Sequence, residues 1–255
     1  MKTSRILPSG KVRCSVVMAT FNGEKFISEQ LKSIVTQLED HDELIIVDDH
    51  SEDSSKQIIQ NFQKIYPQIR LFTNKENIGP VKTFEKGFKL ANGKIIVPCD
   101  QDDVWLDNKI EKISEALQKF DLVMTNGRVV DQNLNNLNIN LKDFVRFKSG
   151  FIKNFISNTY VGCSMGFRRE LLEISLPFTC NVPYHDWLIG LVGEAFFKCT
   201  FLEEELFLFR RHSSNQSTTG KKSKNSFSQK IASRIALAIS LVFSFLRLLR
   251  FRILK

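Results

Sequence analysis

Four places in the sequence concentrate groups able to move protons or hold cations. The run Pro98-Cys99-Asp100-Gln101-Asp102-Asp103-Val104-Trp105 puts three aspartates within four positions, directly after the apolar Ile95-Ile96-Val97. Hard cations such as Mg2+ or Mn2+ prefer carboxylate oxygens, and an ion held by one or two of them keeps coordination sites for phosphate oxygens. Such a D-x-D element suits a diphosphate ligand, although acidic turns without an ion are common. Asp48 and Asp49 close the run Glu43-Leu44-Ile45-Ile46-Val47. A carboxylate there can accept from a nucleobase N–H or a ribose hydroxyl, or cap the next helix, and Asp49 is the ligand candidate. Asp186 stands between His185 and Trp187, ahead of an apolar run. An aspartate desolvated beside an aromatic ring has the raised pKa that a general base for an alcohol requires. His212 has the chemistry of a metal ligand or phosphate donor, and Arg210 and Arg211 that of anion partners.

These residues need elements that bring them together. Residues 14–20 form an apolar run, and 24–38 carry Phe26, Ile27, Leu31, Ile34 and Leu38 at helical spacing. Strand patterns over 43–49, 69–74 and 94–100 then alternate with helix patterns over about 53–65 and 81–90. A β-α-β-α-β-α-β order predicts a mostly parallel sheet with helices on both faces and a ligand site at the carboxyl ends of its strands. Thr20-Phe21-Asn22, Asp48-Asp49 and the 100–103 aspartates each follow a strand, so they converge on one edge. Beyond Trp105 come a helix over about 107–119, a strand over 121–126, an Asn-rich turn over 131–140 and a less periodic stretch ending near His212. No linker intervenes. The division expected is two halves of one unit (1–105 and 106–220) and a tail (221–255), with a polar hinge over 213–226.

Net charge is +8, yet nine of the 36 basic residues lie in 221–255, which has no acid, leaving 27 basic against 28 acidic elsewhere. A near-neutral body argues against nucleic acid as the partner. The five cysteines are scattered without a C-x-x-C pair, which reads as reduced thiols rather than a disulfide frame or zinc site. The N-terminal residues hold no apolar stretch long enough for a signal peptide, so a cytoplasmic protein is expected.

The tail, 227–255, reads as a basic amphipathic helix. Lys230, Ser233, Ser240, Ser244 and Arg247 share one stripe; Ile231, Ile235, Ala238, Ile239, Val242, Leu246 and Leu249 fill the other side, and Leu237 and Leu241 interrupt the polar stripe. Its uncharged run over 235–246 is shorter than the ~20 residues of a spanning helix. A helix lying on an anionic membrane surface is expected, with packing on the body or on another subunit as the alternative.

Taken in order, SVVMATFNGEKFISEQLKSIVTQ, ELIIVDDHSEDS, NKENIGPVKTFEKGFKLANGKIIVPCDQDDVW, GCSMGFRRELL, HDWLIGLV and FLFRRHSSNQS resemble a family 2 glycosyltransferase with the GT-A fold. Within that family the DQDDVW, GCSMGF and HDW set is most similar to bacterial rhamnosyltransferase-type enzymes of surface-polysaccharide assembly. The resemblance covers about residues 14–217. It implies a nucleoside-diphosphate-sugar donor, Mg2+ or Mn2+, and inversion at the anomeric carbon, with 1–105 as the nucleotide-sugar-binding half and 106–220 as the acceptor-binding half of one GT-A domain. By position it places Ala19, Phe21 and Asn22 at the donor, Asp49 at the base, Asp100 and Gln101 near the ribose or sugar, and Asp102 on the metal. His212 falls at a metal or diphosphate position and Asp186 at that of the catalytic base. Trp105, His185, Trp187, Arg210 and Arg211 are candidates for acceptor or diphosphate contact. Phe21 departs from the frequent tyrosine, so a hydroxyl contact is lost while stacking can persist.

The reading that follows is transfer of L-rhamnose from dTDP-rhamnose to a lipid-linked saccharide, by an enzyme peripheral on the inner face of the bacterial plasma membrane. A UDP-hexose or UDP-N-acetylhexosamine donor is the alternative. Two further readings differ in class. Asp100, Asp102 and Val104 also satisfy the D-x-D-x-V pattern of haloacid-dehalogenase-like phosphatases, but three strands precede it and no later Asp-Asp pair follows. A catalytically inactive membrane-bound scaffold would explain the tail but not the carboxylates.

Overall fold

The computed structural model describes residues 12–213, 215 and 226–253. Most of the expected polar hinge lies outside the described residues. β1 (Cys14–Thr20), β2 (Glu43–Asp48), β3 (Ile69–Thr73) and β4 (Ile95–Cys99) pair in parallel in the order β3-β2-β1-β4. The middles of the inner strands, Val16–Ala19 and Leu44–Val47, are apolar because both sheet faces are covered, and their polar residues stand toward the ends. Val16, Met18, Leu44 and Ile46 join one core with side chains of α1 (Ile27–Val35) and α2 (Ser55–Ile65). Val17, Ile45 and Val47 join the other with Phe84 and Phe88 of α3 (Pro80–Leu90).

The same sheet runs on through the second half of the chain. β4 pairs antiparallel with β8 (Met165–Arg168), and β8 with β6 (Leu122–Val130). β6 runs parallel to β9 (Cys199–Arg210), whose far end pairs with the short β5 (Val104–Trp105). The nine-stranded sheet has the order β3-β2-β1-β4-β8-β6-β9-β5, with β7 (Asn136–Asn140) on β6. β7 lies where the sequence pattern predicts only a turn. Its Leu137 and Ile139 are exposed, so main-chain pairing with β6 makes this strand, and no apolar face announces it.

Helices α4 (Lys109–Ala116), α5 (Leu141–Val145), α6 (Phe151–Ile156), α7 (Arg169–Ser175) and α8 (His185–Phe196) complete the body, and α9 (Phe227–Ile253) follows. By length and composition α9 is apolar enough to cross a membrane, but one side of it is packed on α7 and α8. The buried side holds Leu237, Ser240, Ser244 and Leu248. Ser240 donates to the Thr179 carbonyl, while Arg247 donates to Ile174 O (3.2 Å), Ser175 O (3.3 Å) and Thr179 Oγ1 (3.0 Å).

This corrects the expected polarity of the helix. The serine stripe faces protein, and Leu237, which interrupts it in the sequence, is its innermost member. Small hydroxyl side chains permit close approach, and Ser240 bonds backbone carbonyls. The outward side carries Ile231, Ile235, Ile239, Val242, Phe243, Phe245, Leu246 and Leu249, each at least 40% exposed.

Candidate active site

The loops after β1, β2 and β4 meet the start of α8 and the end of β9 around a cavity of about 250 Å3. Its wall includes Ala19, Phe21, Asp49, Asp100, Gln101, Asp102, His185, Asp186, Arg210 and Arg211, so ten of the residues singled out by sequence share one space. Asn77, Pro80, Val81 and Phe84 supply an apolar side from the start of α3, and Tyr184 stands at the start of α8.

Several of these residues also build the site. Gln101 Oε1 accepts from Thr20 Oγ1 (2.5 Å) and from the Phe21 amide (2.8 Å), and its Nε2 donates to Phe21 O (3.1 Å). The amide thus ties the loop after β1 to the loop after β4. A Cβ on Gly23 would sit 2.4 Å from Gln101 Oε1, which explains the glycine there. Asp49 accepts from Asn74 Nδ2 (2.8 Å), Ile78 N (3.0 Å) and Gly79 N (2.8 Å), anchoring the turn that opens α3. Its neighbour Asp48 accepts from Ser51 N at 3.1 Å and holds the next turn.

Asp186 lies in the first turn of α8. One oxygen accepts from Gly162 N at 3.0 Å; the other is buried without a hydrogen-bond partner. Burial raises its pKa to about 6, against the pull of hydrogen bonds from the Trp187 and Gly162 amides. His185 stacks on Phe84 with ring centroids 4.1 Å apart, and burial lowers its pKa to about 3. It is a neutral wall of the cavity, unsuited to pairing with a phosphate charge.

Asp102 Oδ2 lies 2.8 Å from His212 Nε2 and 2.9 Å from Asn215 Nδ2, and the Asn215 side chain is itself 3.0 Å from His212 Nε2. The Asp102 carboxylate and the His212 imidazole are ligand types that fit Mg2+ or Mn2+, and the Asn215 amide, whose oxygen accepts from His212 N at 2.7 Å, holds the pair in place. Asn215 escaped the sequence reading because an asparagine in a polar, serine-rich stretch carries no distinguishing signal.

A second cluster lies deeper, where Asp100, Asp103 and Cys163 bring ligand atoms within 4.8 Å of one another. Burial pushes the Cys163 thiol far up, so it stays protonated. Asp103 accepts from Arg210 N at 3.0 Å, and burial and then the Asp102 and Asp100 charges raise its pKa. Burial, then Asp102 and Asp186, raise Asp100 to about 7. Beneath them Lys109 is fully buried, its ammonium 4.0 Å from the Phe207 ring centroid and 4.7 Å from that of Trp105. This deep group suits an internal lysine better than an ion. Lys109 also went unnoticed in the sequence, where its signal is a lysine opening a helix, against the helix dipole.

Four candidates fall outside the cavity wall, and one of them, His212, reaches it through its contact with Asp102. Trp105 is core, 4% exposed. Trp187 donates from Nε1 to Asn154 O at 2.7 Å and packs inward. Asn22 closes a turn, accepting from Glu52 N at 2.9 Å. Arg210 lines the cavity but pairs with Glu29 at 2.5 Å and lies over Phe26, so its charge is largely engaged.

A parallel half with carboxylates at its strand ends and a buried carboxylate at the start of α8 agree with the family model of glycosyl transferase family 2, which matches residues 15–175, more than half of the chain. The chain belongs to that family. This family 2 glycosyltransferase is 29% identical over 216 residues to the dTDP-rhamnosyl transferase RfbG of Shigella flexneri, covering 78% of the chain and 73% of RfbG. It is 29% identical over 176 residues to the Escherichia coli UDP-Glc:alpha-D-GlcNAc-diphosphoundecaprenol beta-1,3-glucosyltransferase WfgD, covering 68% of each. Its fold matches that of S. aureus TarS 1–349 in complex with UDP-GlcNAc with a TM-score of 0.70 at 17% identity, over 90% of this chain and 66% of that one. The glycosyltransferase thus has the GT-A fold, and it spans about two thirds of the length of such relatives.

Proposed function

We propose that this family 2 glycosyltransferase moves a sugar, with inversion, from a nucleoside-diphosphate donor to a lipid-linked saccharide of surface-polysaccharide assembly, and that L-rhamnose from dTDP is its donor. The observation that carries the reading is the pairing of two chemistries around one cavity: an unpartnered Asp186 oxygen on one wall and, on another, Asp102 in contact with His212.

In this reading Asp186 takes the proton of the acceptor hydroxyl as its oxygen attacks the anomeric carbon and the bond to the diphosphate breaks. Asp102 and His212 would hold Mg2+ or Mn2+, whose charge offsets that of the departing diphosphate. Phe21, Pro80 and Val81 give the base an apolar seat, and Asp49 shapes it through the turn at Ile78 and Gly79. Arg211, which also lines the cavity, is a diphosphate partner. The rhamnosyl donor is favoured by the likeness to RfbG; the likeness to WfgD favours the second reading, a UDP-glucose donor. WfgD is named for an acceptor linked to diphosphoundecaprenol, which supports a lipid-linked acceptor here. The outward face of α9 would seat the enzyme on the inner surface of the plasma membrane.

Calorimetric titration with dTDP and with UDP, each with and without Mn2+, tests the reading. Metal-dependent binding of dTDP alone is expected; preference for UDP would select the second donor, and binding of neither would end the proposal.

A further inference from the structure

The exposed apolar surface does not stop at α9. On α6, Ile152 and Ile156 are 73% and 65% exposed. They stand four residues apart, so they share one helical face, with the exposed Lys153 beside them. Phe151 and Phe155 stack on each other and pack toward the core, and Asn154 is buried. The helix therefore turns its isoleucines outward although aromatic side chains of similar apolar character anchor it inward.

Two bonds fix where that face lies. Arg234 of α9 donates to the Ile156 carbonyl, and its guanidinium sits 4.7 Å from the centroid of the Trp187 ring. Trp187 in turn donates to Asn154 O at 2.7 Å. The end of α6, the first turns of α9 and the residue next to Asp186 are thus joined side by side. Ile231 and Ile235, which flank Arg234 in α9, are 45% and 54% exposed.

Charge says what covers this surface. Residues 144–157 contain Arg146, Lys148 and Lys153 and no acid, and α9 contains no acid either. Arg146, Lys148 and Lys153 are all exposed. Two copies of such a face would set like charges against each other, whereas an anionic lipid surface would meet both the isoleucines and the lysines.

We propose that α6 and α9 form a single membrane-seating face, in which Ile152 and Ile156 enter the same anionic bilayer interface as the outward side of α9. The proposal rests on the membrane reading of α9 and deepens it. A bilayer contact on both helices fixes the orientation of the body, which one helix alone would leave free to roll, and it sets α8 and Asp186 beside the interface where a lipid-linked acceptor lies.

The test is co-sedimentation of the whole chain with phosphatidylcholine vesicles, with and without phosphatidylglycerol. The variants are Ile152→Glu/Ile156→Glu on α6, Ile235→Glu/Val242→Glu on α9, and Ile65→Glu as a control at an isoleucine 71% exposed on α2. Binding of the unmodified chain to the anionic vesicles, with a loss of about tenfold or more in the α6 and α9 variants and none in the control, is expected. Full binding by the α6 variant beside loss in the α9 variant would overturn the two-helix face and leave the α9 reading standing. No binding by the unmodified chain would remove both. A halving of molar mass by the α6 substitutions, measured by light scattering, would assign the face to a second copy and overturn the proposal. Ile152→Trp adds a readout free of folding defects: its emission should shift to the blue on anionic vesicles, and an unchanged spectrum would count against α6.

Discussion

Lys109 donates to the Cys163 carbonyl at 2.7 Å from a fully buried position, where the Asp103 and Asp100 carboxylates favour its charge. Burial lowers its pKa to about 8 and these neighbours hold it from falling further, so it remains a cation at neutral pH. Lys109→Met would leave the acid cluster without its counter-charge, and a stability loss of about 3–5 kcal/mol is expected in urea unfolding. Adding Asp103→Asn should recover part of the loss. Simple additivity of the two changes would show that the lysine does not serve the cluster.

Asp186 gives a signed pH prediction. With its pKa raised to about 6, kcat/KM should climb as pH rises through that value and level off above it. Asp186→Asn should lose transfer by a factor on the order of 10²–10⁴ while keeping nucleotide affinity. The folded state holds the Asp186 proton more tightly than the unfolded chain, so this term favours folding at low pH and is lost as pH rises through about 6. The asparagine variant should therefore melt above the wild type near neutral pH, with the advantage closing below about pH 4. A melting difference of the opposite sign would place Asp186 in a solvated setting.

Gln101 tests whether the strut between loops matters to the donor. Gln101→Ala removes three hydrogen bonds and frees the Phe21 backbone. Donor KM should rise by about tenfold, since a group displaced by even a small distance weakens binding, and stability should fall by about 1–3 kcal/mol. The pH midpoint set by Asp186 should stay where it is. A shift in that midpoint would mean that Gln101 acts on the base as well.

His212 and Asp102 can be separated from Asp186 by what they bind. His212→Ala and Asp102→Asn should each weaken Mn2+-dependent nucleotide affinity by about tenfold or more. Nucleotide affinity measured without metal should barely change. Equal losses under both conditions would recast the pair as a structural contact.

The parallel half of the fold is legible in the sequence because β1 and β2 are buried on both faces and carry continuous apolar runs, and the carboxylates follow at their ends, where such a sheet places its ligand site. Ranges fall within about three residues there, as for α1, whose pattern from 24 to 38 narrows to Ile27–Val35. Elsewhere the side chains mislead for physical reasons. β7 is a strand held by main-chain pairing, which no side-chain pattern reports. Ser240 and Ser244 of α9 look solvated in the sequence but are buried against the body, where Ser240 bonds the Thr179 carbonyl. Trp105 and Trp187 sit beside acidic residues in sequence, yet their rings turn into the core while the neighbouring carboxylates turn to the cavity. Lys109 and Asn215 contribute through contacts across long stretches of chain, invisible until the fold closes.

The position of α9 in the chain has a consequence for biogenesis. Every strand of the sheet precedes it, so a ribosome completes the whole body before the apolar ridge is made. A surface of that kind, exposed early, would invite misassembly with half-folded neighbours. Emerging late, it meets α7 and α8 already able to receive its serine side, and its other side is presented to the cell as a finished docking plane.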